Sequence, residues 1–259
     1  VSPLNLGNSG TAARLLMGVV AGNPITAVFI GDESLSGRPM DRVVKPLSDM
    51  GASISLSEGG GLPATVGGKN SLIPIEYHLP VASAQVKSSI LLAGLHCPGV
   101  TSVTEDRSTR DHTENLLAKF GADVQVEALN GGCQVHVSGQ PELIPQDLAI
   151  AGDPSSAAFP IVAALLTKNS EVCVKGVGVN RTRMGLFDCL EEMGADLQIV
   201  SRGAAGGEPI ADITARTSAL KGINVPADRA PRMIDEYPIL AVAAAHADGS
   251  TVMQGLGEL

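Results

Sequence analysis

Four stretches of this chain set a dense apolar run behind an opening of small residues. They read N-S-G-T-A-A-R-L-L-M-G-V-V-A-G from Asn8, A-S-A-Q-V-K-S-S-I-L-L-A-G-L from Ala82, P-S-S-A-A-F-P-I-V-A-A-L-L from Pro154 and I-D-E-Y-P-I-L-A-V-A-A-A from Ile234. Each predicts a helix, the first three over about 9–20, 84–95 and 156–166, with Asn8 or Ser9 as the first cap. A β-rich stretch follows each, at 25–30, 100–104, 171–174 and 251–253. A second helix is then expected over 39–50, 111–120 and 184–193, with Pro39 in the first turn, where its missing N–H costs nothing. These helices end in M-G-A, F-G-A and M-G-A, and Gly51 reads as the glycine that stops its helix. Alternation at 53–56 and 65–66 closes the first copy with strands. Val124 and Val126, then Val135 and Val137, read as a hairpin around Asn130-Gly131-Gly132.

The spacing shows one unit multiplied. Phe120 lies 70 residues after Met50, and Met193 lies 73 after Phe120. Copies are expected over 1–68, 71–146 and 148–222, with a fourth begun at about Ile223 and cut at Leu259. Each orders strand, helix, strand, helix, strand, strand, so an α/β fold with parallel pairing through right-handed crossovers is expected. The domain boundary is placed at about 150–152, giving domains 1–149 and 150–259. A period met part-way at both ends predicts a piece of a longer protein, so a targeting peptide cannot be judged.

Composition narrows the picture. The 259 residues are 44% hydrophobic and 17% charged, enough for one or two real cores, but only 2% aromatic, so aliphatic and small residues must pack them closely. A net charge of −9 argues against a nonspecific nucleic-acid binder, yet leaves room for a local basic cluster around a small anion. Cys97, Cys133, Cys173 and Cys189 form no C-x-x-C pair and read as reduced thiols, neither a disulfide framework nor a zinc site. No run of 18 uninterrupted apolar residues predicts a membrane span.

Three sets of residues are candidates for chemistry. Ser9-Gly10-Thr11, Ser83-Ala84-Gln85 and Ser155-Ser156-Ala157 bring hydroxyls and unpaired N–H groups to helix starts, which suits plain capping or an anion. Arg14 and Lys87 lie a turn into two of these helices, while Arg38 and Arg110 precede second helices at matching places. An Arg beside a helix N-terminus opposes its dipole, so either an ion pair with Asp32 or Asp41 or a bound anion is called for. Asp235 takes the place of Ser9 and Ser83 in the fourth copy, as a cap or as a general base for a hydroxyl. His112 reads as a helix-start residue. His78, His96, His136 and His246 have no metal-ligand spacing, and no metal is expected.

Six segments in order then resemble the 5-enolpyruvylshikimate-3-phosphate (EPSP) synthase family. They are L-x-L-G-N-S-G-T-A-A-R from Leu4, G-D-E-S-L-S-G-R-P-M from Gly31, S-A-Q-V-K-S-S-I-L-L-A-G-L from Ser83, T-R-D-H-T-E from Thr109, G-D-P-S-S-A-A-F-P from Gly152 and P-R-M-I-D-E-Y-P-I-L-A-V-A-A-A from Pro231. The resemblance implies a two-domain fold of βαβαββ units, the enolpyruvyl transferase inverse barrel, with the active site between the domains. It implies transfer of the enolpyruvyl group of phosphoenolpyruvate to the 5-hydroxyl of shikimate-3-phosphate, with no cofactor. Ser83, Ala84, Gln85 and Arg110 would hold shikimate-3-phosphate. Gly10, Arg38 and Gln85 would hold phosphoenolpyruvate, with Thr11 and Arg14 in support, and Asp235 would be the catalytic base.

The resemblance also implies glyphosate as an inhibitor, a cytoplasmic monomer and no partner beyond the two substrates: no nucleic acid and no membrane. Other residues that the family uses would lie before residue 1 and after Leu259, so this piece alone is expected to be inactive. Two alternatives stay open: the related transferase acting on UDP-N-acetylglucosamine, which carries a reactive loop cysteine, and a noncatalytic domain that keeps the fold.

Overall fold

The computed structural model describes residues 2–257. The outer limits expected for the first and fourth copies, Val1 and Leu259, lie outside the described residues. The chain forms two compact units, Val1–Pro145 and Gln146–Leu259.

In the first unit, the opening repeat runs β1 (Leu4–Asn5), α1 (Gly10–Ala21), β2 (Thr26–Ile30), a short α2 (Glu33–Ser36), α3 (Asp41–Asp49), β3 (Ser53–Ser55) and β4 (Ala64–Gly67). The next runs β5 (Glu76–His78), α4 (Ala84–Gly94), β6 (Val100–Glu105), α5 (His112–Lys119), β7 (Val124–Ala128) and β8 (Cys133–Ser138). Each repeat makes a four-stranded sheet, in the orders β1-β2-β4-β3 and β5-β6-β8-β7. In both, the opening strand pairs in parallel with the strand after the first helix, and the last two strands are antiparallel. The hairpin expected around Asn130 is formed by β7 and β8.

The second unit repeats this order with a weaker opening. Its elements are α6 (Pro154–Leu166), β9 (Glu171–Gly178), α7 (Gly185–Glu192), β10 (Asp196–Ala205) and β11 (Glu208–Arg216). The sheet order is β10-β11-β9, and the expected opening strand is reduced to one parallel bridge from Gly152 to Val177. The fourth copy supplies β12 (Asn224–Val225), α8 (Tyr237–Ala245) and β13 (Val252–Met253), with β12 and β13 parallel.

The recurrent M-G-A has a local cause. Gly51, Gly121 and Gly194 take φ of +105°, +86° and +87°, which L side chains adopt at a cost. The following alanine amides, Ala52, Ala122 and Ala195, then reach back 3.0 Å to the carbonyls of Leu47, Leu117 and Leu190. This six-to-one bond closes the C-terminus of each second helix.

The small residues serve close packing. α1 lies against α4, and Gly18 is where they meet: a Cβ there would stand 2.2 Å from the Ser89 carbonyl oxygen. One apolar core gathers Met17, Phe29, Leu47, Ile90 and Val135; a separate core in the second unit gathers Ile161, Leu186, Phe187, Ile213 and Leu240.

Two local expectations fail. Pro39 is not in the first turn of a helix, because α3 starts at Asp41 behind an N-cap at Met40. The Asp32 side chain instead caps the extra helix α2 through the Leu35 amide, and the chain turns once more before α3. Lys87 does not face an anion at the helix start. It is buried and paired with Glu105 and Glu114, because its position on α4 points into the core.

Candidate functional site

The N-terminus of α1 organises the largest group of predicted site residues. Ser9, extended at the cap, accepts from the Ala12 amide at 3.1 Å, so Gly10 becomes the first helical residue. The first turn holds no acidic residue to complement the helix dipole. Two arginines stand there instead. Arg38 donates to Asn8 Oδ1 at 2.7 Å and, more loosely, to the Ser34 hydroxyl at 3.5 Å. Asn8 in turn donates to Asp32 at 2.7 Å, so the carboxylate that sequence offered as the Arg38 partner reaches it through an amide. Asp32 is held below the usual carboxylate range by the Leu35 amide and by Asn8.

Arg14 donates to Gln85 Oε1 and, at 3.2 Å, to the Pro39 carbonyl. Gln85 Nε2 donates to the Thr11 hydroxyl at 2.8 Å. The acceptors of both arginines are neutral. Burial, followed by the charges of Arg38 and Arg42, lowers the Arg14 pKa. A Cβ on Gly10 would lie 3.2 Å from Arg38 Nη1 and 3.5 Å from Arg14 Nη1, so Gly10 is the floor between the two guanidinium groups. Gly10, Thr11, Arg14, Arg38 and Gln85 therefore form one cationic cluster at a helix N-terminus, an arrangement that favours an anion.

Ser83 caps α4 through the Val86 amide at 3.4 Å, followed by Ala84 and Gln85 on the first turn. Arg110 is half-buried in the loop from β6 to α5, two residues before that helix.

The third helix start differs from the expectation of hydroxyls around free N–H groups. Asp153 caps α6, taking the amides of Ser155 and Ser156 at 3.2 and 2.9 Å and the Ser156 hydroxyl at 2.7 Å. Burial works against its charge, but the Ser156 hydroxyl and the two amides outweigh it and lower its pKa. This N-terminus thus already holds a carboxylate.

Asp235 belongs to the second unit. It is exposed in a 3-10 turn, Ile234–Glu236, and does not cap α8, whose N-cap is Glu236, with no side-chain bond to the helix amides. Two residues there went unnoticed in the sequence. Glu236 is buried and accepts from the Ser155 hydroxyl, and Arg183 reaches both of them and Asp153. Arg183 stands ten residues before Met193, as Arg110 stands ten before Phe120, so the repeat itself carried the signal.

Unit topology and cationic helix start define a class, the enolpyruvyl transferase fold. An enolpyruvyl transferase from Streptomyces tendae superposes with a TM-score of 0.66 at 20% identity, over 92% of this chain and 54% of that one. The EPSP synthase (3-phosphoshikimate 1-carboxyvinyltransferase) family model matches residues 2–259, and the chain belongs to that family. It is 57% identical over 258 residues to the 3-phosphoshikimate 1-carboxyvinyltransferase of Parvibaculum lavamentivorans, covering 99% of this chain and 57% of that protein. That of Novosphingobium aromaticivorans is 56% identical over 99% of this chain and 58% of its own length. The EPSP synthase of Acinetobacter baumannii superposes with a TM-score of 0.86 at 47% identity, covering all of this chain and 58% of that one. The chain thus spans under three-fifths of the length of these relatives.

Proposed function

We propose that the protein to which this sequence belongs transfers the enolpyruvyl group of phosphoenolpyruvate to the 5-hydroxyl of shikimate-3-phosphate, releasing phosphate. The observation that carries the reading is the cationic cluster around Gly10, built on family motifs, in which the hydrogen-bond acceptors of Arg14 and Arg38 among the described residues are neutral and Asp32 reaches Arg38 only through Asn8. In this reading Arg38 and Arg14 hold phosphoenolpyruvate over the α1 N-terminus, with Gly10 leaving room for it. Thr11 and Arg14 orient Gln85, which touches both substrates. Ser83, Ala84 and Arg110 hold the phosphate of shikimate-3-phosphate.

Asp235, in its exposed turn, takes the proton of the 5-hydroxyl as that oxygen attacks C2 of phosphoenolpyruvate and C3 is protonated. The tetrahedral adduct then loses phosphate from C2 together with one proton from C3, so the C2–O bond to phosphate breaks as the C2–C3 double bond of the vinyl ether re-forms. The protein's share is to orient two anions and to move protons, with charge stabilised by preset donors.

We further propose residues 1–149 and 150–259 as parts of two catalytic domains, a cytoplasmic monomer, and inhibition by glyphosate at the phosphoenolpyruvate position. No described helix is long and apolar enough to cross a membrane. The test is phosphate release by the full-length protein. Release from phosphoenolpyruvate that requires shikimate-3-phosphate supports the reading. Release that requires UDP-N-acetylglucosamine, or none with either acceptor, overturns it.

A further inference from the structure

Lys87, Glu105 and Glu114 are 1%, 0% and 4% exposed, and they form a buried charge cluster that the proposed reaction does not use. Lys87 Nζ lies 2.9 Å from Glu105 Oε1 and 2.7 Å from Glu114 Oε1. Taking three charges out of water costs several kcal/mol each before pairing, and apolar side chains of similar volume fill such space at least as stably. What the cluster supplies is geometry. Glu105 ends β6, and its carboxylate reaches forward four residues. It accepts from the Thr109 amide at 2.8 Å and from the Thr109 hydroxyl at 2.7 Å, and Cys133 Sγ lies 3.3 Å away.

The loop that carries Arg110 is thus tied at the residue before it. Lys87 sits two residues after Gln85 on α4, and Glu114 sits in the first turn of α5. A bond of 2.6 Å between the Ser88 and Thr113 hydroxyls runs beside them. Burial opposes the Lys87 charge, but the pull of Glu114 and Glu105 prevails and raises its pKa, so the ammonium stays charged.

We infer that the Lys87–Glu105–Glu114 cluster is a positioning device. It locks the Thr109–Arg110 loop to the first turn of α4, so that Arg110 and the Ser83–Gln85 segment keep one fixed relation. The inference rests on the reading of those residues as ligands of shikimate-3-phosphate. Thr109 is the point at which to test it, because it joins the loop to the cluster without being one of the buried charges.

In the full-length protein, Thr109→Val removes the hydroxyl bond and keeps the side-chain shape, while Thr109→Ser keeps the bond. Thr109→Val is expected to raise the KM for shikimate-3-phosphate about fivefold, the equivalent of one modest hydrogen bond. The KM for phosphoenolpyruvate should stay unchanged, and Thr109→Ser should restore the lower value. Arg110→Gln, run alongside, should raise the same KM. If Arg110→Gln raises it and Thr109→Val does not, or if valine and serine behave alike, the positioning role is overturned and the ligand reading stands. If Arg110→Gln has no effect, the ligand reading falls and takes the inference with it.

Discussion

Gln85 Nε2 donates to the Thr11 hydroxyl at 2.8 Å across 74 residues of sequence, joining the first turns of α1 and α4 from two different repeats. Its carbonyl oxygen serves Arg14 at the same time. One amide thereby fixes a guanidinium and a hydroxyl in the two orientations that its own geometry dictates. Close approach of the two helices at Gly18 and Ser89 makes this reach feasible.

Arg38→Gln should separate binding from stability. The charge of Arg38 opposes that of Arg14 but complements that of Asp32, so its removal should leave the melting temperature in anion-free buffer little changed. The rise in melting temperature on adding phosphoenolpyruvate should largely vanish, with affinity falling on the order of ten- to hundredfold for a lost charge-assisted contact of about 1.5–3 kcal/mol. Thermal melts of the full-length protein with and without phosphoenolpyruvate check both. A variant that melts lower but binds as before would refute the assignment.

Gly10→Ala places a methyl 3.2 Å from the end of the Arg38 side chain. The guanidinium is the far tip of a flexible chain and can yield, so the stability change should stay within about 1 kcal/mol. The anion space between the arginines shrinks, and glyphosate should inhibit the variant less than the parent. Equal inhibition constants for the two would sink that idea.

Lys87→Met should cost about 3–5 kcal/mol, because it strands two buried carboxylates. Burial already raises the Glu114 pKa against the pull of Lys87. A carboxylate raised in the folded state contributes stability below the ordinary carboxylate range and loses it as pH rises through the folded pKa. With the lysine gone that loss grows, so the deficit should be smaller at pH 5 than at pH 8. Urea midpoints at the two pH values measure it.

Asp153→Ala should destabilise the second unit by about 1 kcal/mol at neutral pH, the usual worth of an N-cap, and Asp153→Asn by only a few tenths. The depressed pKa of Asp153 means that its contribution is present above the ordinary value of about 4 and is lost as pH falls through the folded value. The gap between the parent and the alanine variant should therefore close in acid. Melts between pH 2.5 and 7 would show it, and a pH-independent gap would rule it out.

Much of the fold was legible because repetition multiplied weak signals. M-G-A recurs since only glycine takes the positive φ at the helix end without strain, and small residues recur where α1 meets α4. Less was legible where side chains choose partners across the chain. Lys87 lies four residues after its cap Ser83 and Arg14 five after its cap Ser9, so Lys87 takes the place of the buried Ala13 on its helix and enters the core, one position short of the face that carries Arg14. Asp235 matched the place of two serine caps, yet a 3-10 turn displaced it and made Glu236 the cap. The short helix α2 moved Pro39 out of the turn that suited it.

By itself, the sequence determined the unit, its count and most of its strand and helix order, because periodicity and turn chemistry act over a few residues at a time, and its six ordered motifs carried the resemblance to the family. Tertiary structure alone decided which charges meet. It set Arg14, Arg38 and Gln85 around Gly10 and buried Lys87 between two glutamates, because pairing depends on distances of a few ångströms between residues far apart in the chain.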